Sequence, residues 1–224
     1  MSFPQDIKVV LLGEPGVGKT CILTRFISDE FEENILSSTS AQYLSKQVDF
    51  TEFNESLLFQ VWDTAGQERF HSLAKLFYRN AKVICLVYDI TCKSSFEKLK
   101  SYWYENEVKK NVEGNPIFAV VGNKFDLYES RKVKEEKVLE FAKSINAIFQ
   151  YTSAKNSSGI EELFEKIGKK YFNPDLNIMD DEDKLKYLYE QKRLEQENKK
   201  KDKKVKLKKS KSKQNPKDKR KECC

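Results

Sequence analysis

The sequence predicts an α/β fold with a mostly parallel sheet. Two continuous apolar runs, Val83–Tyr88 and Ile117–Val121, suit strands buried on both faces, the pattern of central parallel strands. Helical periodicity falls around them, near 94–111, 134–145 and 160–171, so strand and helix alternate along the chain. Ligands of such sheets bind at the carboxyl ends of the strands. The loops that follow each strand are therefore the segments to read for chemistry.

Taken in order, Ile7–Leu12 is a short apolar strand that ends at Gly13, and Cys21–Phe26 follows as a helix. Residues 29–41 are polar and irregular. Tyr43–Phe50 and Leu57–Trp62 read as two strands joined by a turn near Phe53-Asn54-Glu55. Ile148–Tyr151 is a last short strand, and Asn173-Pro174 closes the globule. Residues 173–198 form an extension that is acidic at first and then mixed, with a possible charged helix over 180–198. Residues 199–224 are too lysine-rich to bury a core and are expected to be disordered.

With 224 residues, 39% of them hydrophobic, the chain suits one domain plus a tail. No run of 18 apolar residues is present, and the first residues lack the pattern of a secretory signal. The net charge of +6 hides a split. The segment Lys199–Glu222 holds 14 basic and 3 acidic residues, or +11, and residues 1–198 carry −5. The five cysteines form no CxxC pair and there is one histidine, which argues against a zinc site. Cys21 and Cys85 lie in apolar runs and read as reduced core residues of a cytosolic protein.

Four motifs carry chemistry. Gly13-Glu14-Pro15-Gly16-Val17-Gly18-Lys19-Thr20 matches GxxxxGK[ST] between a strand and a helix. Its glycines let backbone N–H groups turn toward phosphates, and the helix start at Thr20 and Cys21 adds a favourable dipole. Lys19 supplies a point charge, and the Thr20 hydroxyl can ligate Mg²⁺. Asp63-Thr64-Ala65-Gly66-Gln67 follows the strand Leu57–Trp62. Asp63 can hold a water on Mg²⁺, the Gly66 N–H can meet a γ-phosphate, and Gln67 can orient an attacking water. In Asn123-Lys124-Phe125-Asp126 the last carboxylate can accept two hydrogen bonds from the N1–H and 2-amino groups of guanine. Adenine offers no such pair, and a site built this way rejects it by roughly 10⁴-fold. In Ser153-Ala154-Lys155 a backbone N–H can meet the guanine O6.

These four motifs in this order resemble the Ras superfamily. Trp62-Asp63-Thr64-Ala65-Gly66-Gln67-Glu68-Arg69-Phe70 resembles the Rab family of small GTPases. His71-Ser72-Leu73-Ala74, Phe77-Tyr78-Arg79 and Val87-Tyr88-Asp89-Ile90-Thr91 are similar to its endosomal branch. The resemblance spans residues 6–172, and a GTPase domain is expected over 1–172. It implies a six-stranded sheet flanked by five helices, GTP/GDP and Mg²⁺ as ligands, and slow GTP hydrolysis. It also implies an exchange factor, a GTPase-activating protein, an extraction chaperone, prenylation machinery and effectors as partners. Phe31 matches the aromatic that packs on the base. Tyr43, Trp62 and Phe77 match an effector-facing aromatic cluster.

The sequence departs from the family in switch I, which reads Ser37-Ser38-Thr39-Ser40-Ala41. Spacing puts Ser38 on the Mg²⁺ position, and a shift of one residue would put Thr39 there. Pro15 removes an N–H donor from the phosphate loop. These departures keep open a second reading, a GTP-binding scaffold with little hydrolysis. The chain ends Glu222-Cys223-Cys224, which resembles the twin-cysteine geranylgeranylation signal of Rabs. Two lipids or one lipid plus a basic segment anchor stably. The expected place is the cytosolic face of intracellular membranes, endosomal first. No aromatics interleave the tail lysines, so no specific nucleic-acid binding is expected.

Overall fold

The computed structural model describes residues 4–32, 42–63, 77 and 79–176. Six strands form one sheet: β1 Gln5–Leu12, β2 Gln42–Phe50, β3 Glu55–Asp63, β4 Val83–Asp89, β5 Ile117–Asn123 and β6 Ile148–Tyr151. Their order is β2-β3-β1-β4-β5-β6. Only β2 and β3 run antiparallel, and every other neighbouring pair is parallel. The hairpin turn at 51–54 places Asn54 at φ 51°, a left-handed conformation that Asn tolerates.

The helices are α1 Lys19–Ser28, α2, α3 Glu135–Ser144 and α4 Ile160–Phe172. Helix α2 begins as Lys93–Lys98, widens to a π-helical stretch over Leu99–Val108, and ends as Lys109–Asn111. Phe77 is also helical, so the five helices expected are accounted for. A short 3₁₀ helix, Phe125–Ser130, follows β5. The wider π winding lets Leu99, Trp103 and Val108 all turn inward at spacings of four and five.

The apolar runs that predicted the fold form its centre. All seven residues of β4 are buried, because helices cover both sheet faces. On one face Phe26 of α1 stacks on Phe164 of α4 at 3.5 Å between centroids and meets Phe59 of β3 edge-on. Burying a phenylalanine in this way contributes about 1.5–3 kcal/mol. Cys85 belongs to this core, and burial pushes its thiol up to about 12. Cys21 does not. It is half-buried on α1, on a different face from the buried Ile22 and Leu23, so its assignment to the core is corrected.

The parallel register brings the chemistry-bearing loops together. Leu11 pairs with Asp63, Leu12 with Leu86, Asp89 with Asn123, and Gly122 with Tyr151. The segments after Leu12, Asp63, Asp89, Asn123 and Tyr151 therefore leave from one end of the sheet. Three of the four motifs begin there, with Asp63 as the start of the fourth.

Candidate functional site: a phosphate loop beside a base-reading loop

The phosphate loop crosses the end of β1. Gly13 lies at φ 149°, Gly16 at 76° and Gly18 at 94°. A Cβ on Gly13 would lie 2.1 Å from the Val87 carbonyl oxygen, and one on Gly18 would lie 2.3 Å from Asn123 Nδ2. Around Gly16 the space is open, with no atom within 4 Å of where a Cβ would stand. Two glycines thus permit close packing underneath, and the third stands exposed in open space among the described residues.

Helix α1 starts directly from Gly18 with no side-chain cap and no acidic residue in its first turn. Its first N–H groups, from Lys19 to Cys21, are the pattern that attracts an anion. Lys19 is only 5% exposed, and its ammonium donates to the carbonyls of Gly13 at 2.8 Å and Glu14 at 3.1 Å. Burial pulls its pKa below that of an ordinary lysine, against the pull of Asp63 and Glu14. Asp63 is fully buried at the end of β3. Its Oδ2 accepts a short hydrogen bond from the Thr20 hydroxyl, and among the described residues its Oδ1 has no hydrogen-bond donor. Desolvation raises its pKa, opposed by the Thr20 bond and by Lys19.

That orphaned oxygen is the test of whether a divalent cation fits. A buried carboxylate oxygen without a donor is costly unless a cation meets it. Thr20 and Asp63 present a hydroxyl and a carboxylate side by side, hard oxygen donors of the kind Mg²⁺ takes. The donor set fits the ion. Gly66, Gln67, Ser38 and Thr39 lie outside the described residues.

The base end is assembled from three strand ends. Lys124 adopts φ 66° and caps the 3₁₀ helix that carries Asp126. The Ser153 hydroxyl donates to Asp126 Oδ1 at 2.6 Å, and the Phe125 N–H donates to the Thr152 carbonyl at 3.0 Å. Ser153 and Ala154 are buried. Asn123 ties the two ends together: its Nδ2 donates to the Val17 carbonyl at 2.8 Å, and its Oδ1 accepts from the Thr152 hydroxyl at 3.1 Å. The structure therefore gives Asn123 partners within the protein on both sides. Lys124 pairs with Asp89 at 2.8 Å, which aligns its stem along the site.

Sequence reasoning missed several of these contributors. Thr152 and Arg25 carry no motif of their own, and Asp89 enters only through the family-like run Val87–Thr91, with no role in the site assigned to it. Glu14 occupies an unspecified position of the GxxxxGK[ST] pattern, and its carboxylate joins Lys98 at 2.6 Å and the Trp103 indole N–H at 3.1 Å, both on α2. The aromatic cluster does form: Tyr43 and Trp62 lie 4.9 Å apart, Trp62 and Phe77 6.1 Å, and Tyr43 is 45% exposed. Phe31 lies beside the Arg25 guanidinium, 5.9 Å from ring centre to cation.

The sequence profile of the Ras family matches residues 8–173. Ras-related protein Rab-31 of Mus musculus is 46% identical over 165 residues, which cover 74% of this chain and 83% of that protein. Ras-related protein Rab-22A of Homo sapiens is 42% identical over 174 residues, covering 78% and 88%. The Ypt/Rab-type GTPase YPT7 of Saccharomyces cerevisiae is 42% identical over 167 residues, covering 73% and 80%. The chain belongs to the Ras family as a Rab-type small GTPase. This Rab binds guanine nucleotide, and its enzymatic activity is GTP hydrolysis. Among the described residues no helix is long and apolar enough to cross a membrane.

Proposed function

We propose that this Rab is a GTP/GDP switch of vesicle-mediated, endocytic membrane traffic, held on the cytosolic face of endosomal membranes by lipids on Cys223 and Cys224. The observation that carries the switch reading is buried Asp63, bonded by the partly buried Thr20 hydroxyl and keeping one carboxylate oxygen without a donor among the described residues, set beside the uncapped start of α1.

In this reading Gly16, Val17, Gly18, Lys19, Thr20 and Cys21 hold the phosphates. Thr20, Asp63 and a switch I hydroxyl, Ser38 or Thr39, hold Mg²⁺. When bound, the ion neutralises charge that develops on the phosphate oxygens. Lys19 gives up its two carbonyl acceptors for phosphate oxygens. Gly66 meets the γ-phosphate through its N–H, and Gln67 orients the attacking water. Asp126 selects guanine, Ser153, Ala154 and Lys155 complete the base pocket with Asn123 and Lys124 behind it, and Phe31 packs on the ring. The γ-phosphate keeps residues 31–45 and 63–80 ordered, and hydrolysis releases them. An exchange factor, a GTPase-activating protein, an extraction chaperone, prenylation machinery and effectors act on that cycle. The GTPase domain spans 1–172, an extension 173–198, and a lysine-rich membrane tail 199–224.

The test is nucleotide extracted from purified protein and followed over time. The expected result is bound guanine nucleotide that converts from GTP to GDP, faster with an activating protein and slower in Gln67→Leu. Stable GTP under both conditions would leave the scaffold reading in its place. Substituting both Cys223 and Cys224 by Ser is expected to release the protein to the cytosol at any GTP loading.

A further inference from the structure

We infer that Arg25 is a positioning residue that holds the guanine-reading backbone and the base-side aromatic as one unit. The inference rests on the base reading proposed above for residues 153–155. Arg25 lies in the last turn of α1, with a side chain only 12% exposed. Its Nε donates to the Ala154 carbonyl at 2.8 Å, and one terminal nitrogen donates to the Lys155 carbonyl at 3.3 Å. The other terminal nitrogen bonds the Asp29 carboxylate at 3.0 Å and the Asp29 carbonyl. The guanidinium also lies 5.9 Å from the centre of the Phe31 ring. Ser157, further along the base loop, donates to the same Asp29 carboxylate at 3.2 Å.

A helix-capping role would be met by the bonds to Asp29 alone. The two carbonyls of the base loop are 129 and 130 residues away in sequence, and capping does not need them. What they do is fix two successive peptide planes. Ala154 is 3% exposed, and among the described residues no acceptor faces its N–H. The Ala154 N–H lies in the preceding peptide plane, between the Ser153 N–H, which donates to the Ser158 carbonyl at 2.8 Å, and the Ala154 carbonyl held by Arg25, so the backbone is pinned on both sides of it and it is left for the O6 of a guanine. The residue has to be arginine, since only a planar fork with donors on three nitrogens can reach two carbonyls and a carboxylate at once. The guanidinium charge is taken up by these acceptors, so it orients a neutral base instead of attracting an anion. Phe31, at the start of the irregular segment, leans on the same group, so displacing that segment loosens the base loop too.

The experiment measures affinities of the full-length protein for GDP, 6-thio-GDP and IDP. 6-Thio-GDP weakens only the O6 acceptor. IDP lacks only the 2-amino group that Asp126 reads. The wild type is expected to bind 6-thio-GDP roughly tenfold more weakly than GDP, the size of one hydrogen bond. In Arg25→Ala that penalty should shrink to less than about twofold, with the IDP penalty unchanged. Arg25→Lys should behave the same way, since an ammonium cannot span both carbonyls, and it serves where the alanine variant does not fold. Both variants keeping the full 6-thio penalty would overturn the inference. So would an equal fall in both penalties, which would mean general loosening. If the wild type itself shows neither penalty, the base reading has failed and this inference falls with it.

Discussion

At the phosphate end of the site, polar groups are buried and incompletely matched. Among the described residues Asp63 keeps one carboxylate oxygen without a donor, and desolvation lowers the Lys19 pKa even with two carbonyls beside it. At the base end the polar groups are already paired: Ser153 with Asp126, Thr152 with Asn123, Lys124 with Asp89, and Arg25 with the 154–155 carbonyls. The first arrangement is one that a cation meeting the Asp63 oxygen would relieve. The second presents fixed donors and acceptors that must match the ligand's own. Under the proposed function, affinity would be set mainly at the phosphate end and selectivity at the base end, and Asn123 bonds the backbone of one and the Thr152 hydroxyl of the other.

The sharpest way to break the comparison is Asp126→Asn. The Ser153 hydroxyl can still donate to an amide oxygen, so the loop should stay folded while the other atom changes from acceptor to donor. GTP affinity is expected to fall roughly 10⁴-fold and xanthine nucleotide to be preferred. Competition binding with both triphosphates checks it.

Asp63→Asn probes the opposite end. Removing a buried charge should stabilise the nucleotide-free protein by about 1–3 kcal/mol while weakening Mg²⁺-dependent GTP binding. The sign with pH follows from the raised folded pKa. The folded state holds the Asp63 proton more tightly than the unfolded chain, so wild-type stability falls as pH rises from the ordinary value of 3.8 through the raised one. The advantage of the asparagine variant in nucleotide-free protein should grow over that window and then level off. Thermal melts of both proteins between pH 4 and 8 test this.

A smaller effect is expected from Trp103→Phe, which leaves the Glu14 carboxylate without its indole donor on α2. Loss of one such bond is worth about 1 kcal/mol, or roughly fivefold faster GDP release. Stopped-flow release of a fluorescent GDP would register it, and an unchanged rate would mean that α2 does not steady the loop. The smallest concerns Asp29, exposed on its helix end. Its bonds to Arg25 and Ser157 lower its pKa, so its contribution is present above the ordinary value of 3.8 and disappears as pH falls through the lowered one. Asp29→Asn should narrow the loss of stability on acidification, seen in chemical unfolding at pH 7 against pH 3.

Much of this architecture is legible in the sequence because it is written locally. A buried strand needs a run of apolar residues, and β4 is such a run. A phosphate loop needs glycines at fixed offsets, and Gly13, Gly16 and Gly18 supply them. The contacts of Arg25 are different in kind. They join positions 129 residues apart, and no spacing rule reports them. The same holds for Glu14 with Trp103, 89 residues away. The π-helical stretch of α2 looks like ordinary helix in the sequence because its inward residues keep near-helical spacing, and only the packing of Leu99, Trp103 and Val108 selects the wider turn. The 3₁₀ helix after β5 is too short to show a period at all. Cys21 looked like core because its neighbours Ile22 and Leu23 are apolar. On a helix, one step in sequence turns a side chain by about 100° to another face.

The far end of the sheet has a mechanical meaning. Helix α4 runs back along the sheet and ends with Phe172 against Phe53 of the hairpin turn at 4.9 Å and Phe50 at 5.5 Å. Gly168, one helical turn earlier, has no room for even a methyl group, since a Cβ there would lie 1.9 Å from the Phe50 ring. The chain after Asn173 therefore leaves from a tightly seated aromatic joint at the end of the strands opposite the nucleotide loops. A pull on that chain would load the joint and the hairpin first. If the chain is anchored through its tail as proposed, the loops at the other end of the strands would feel tension only after the joint had given way, and a bound nucleotide would be spared the pull.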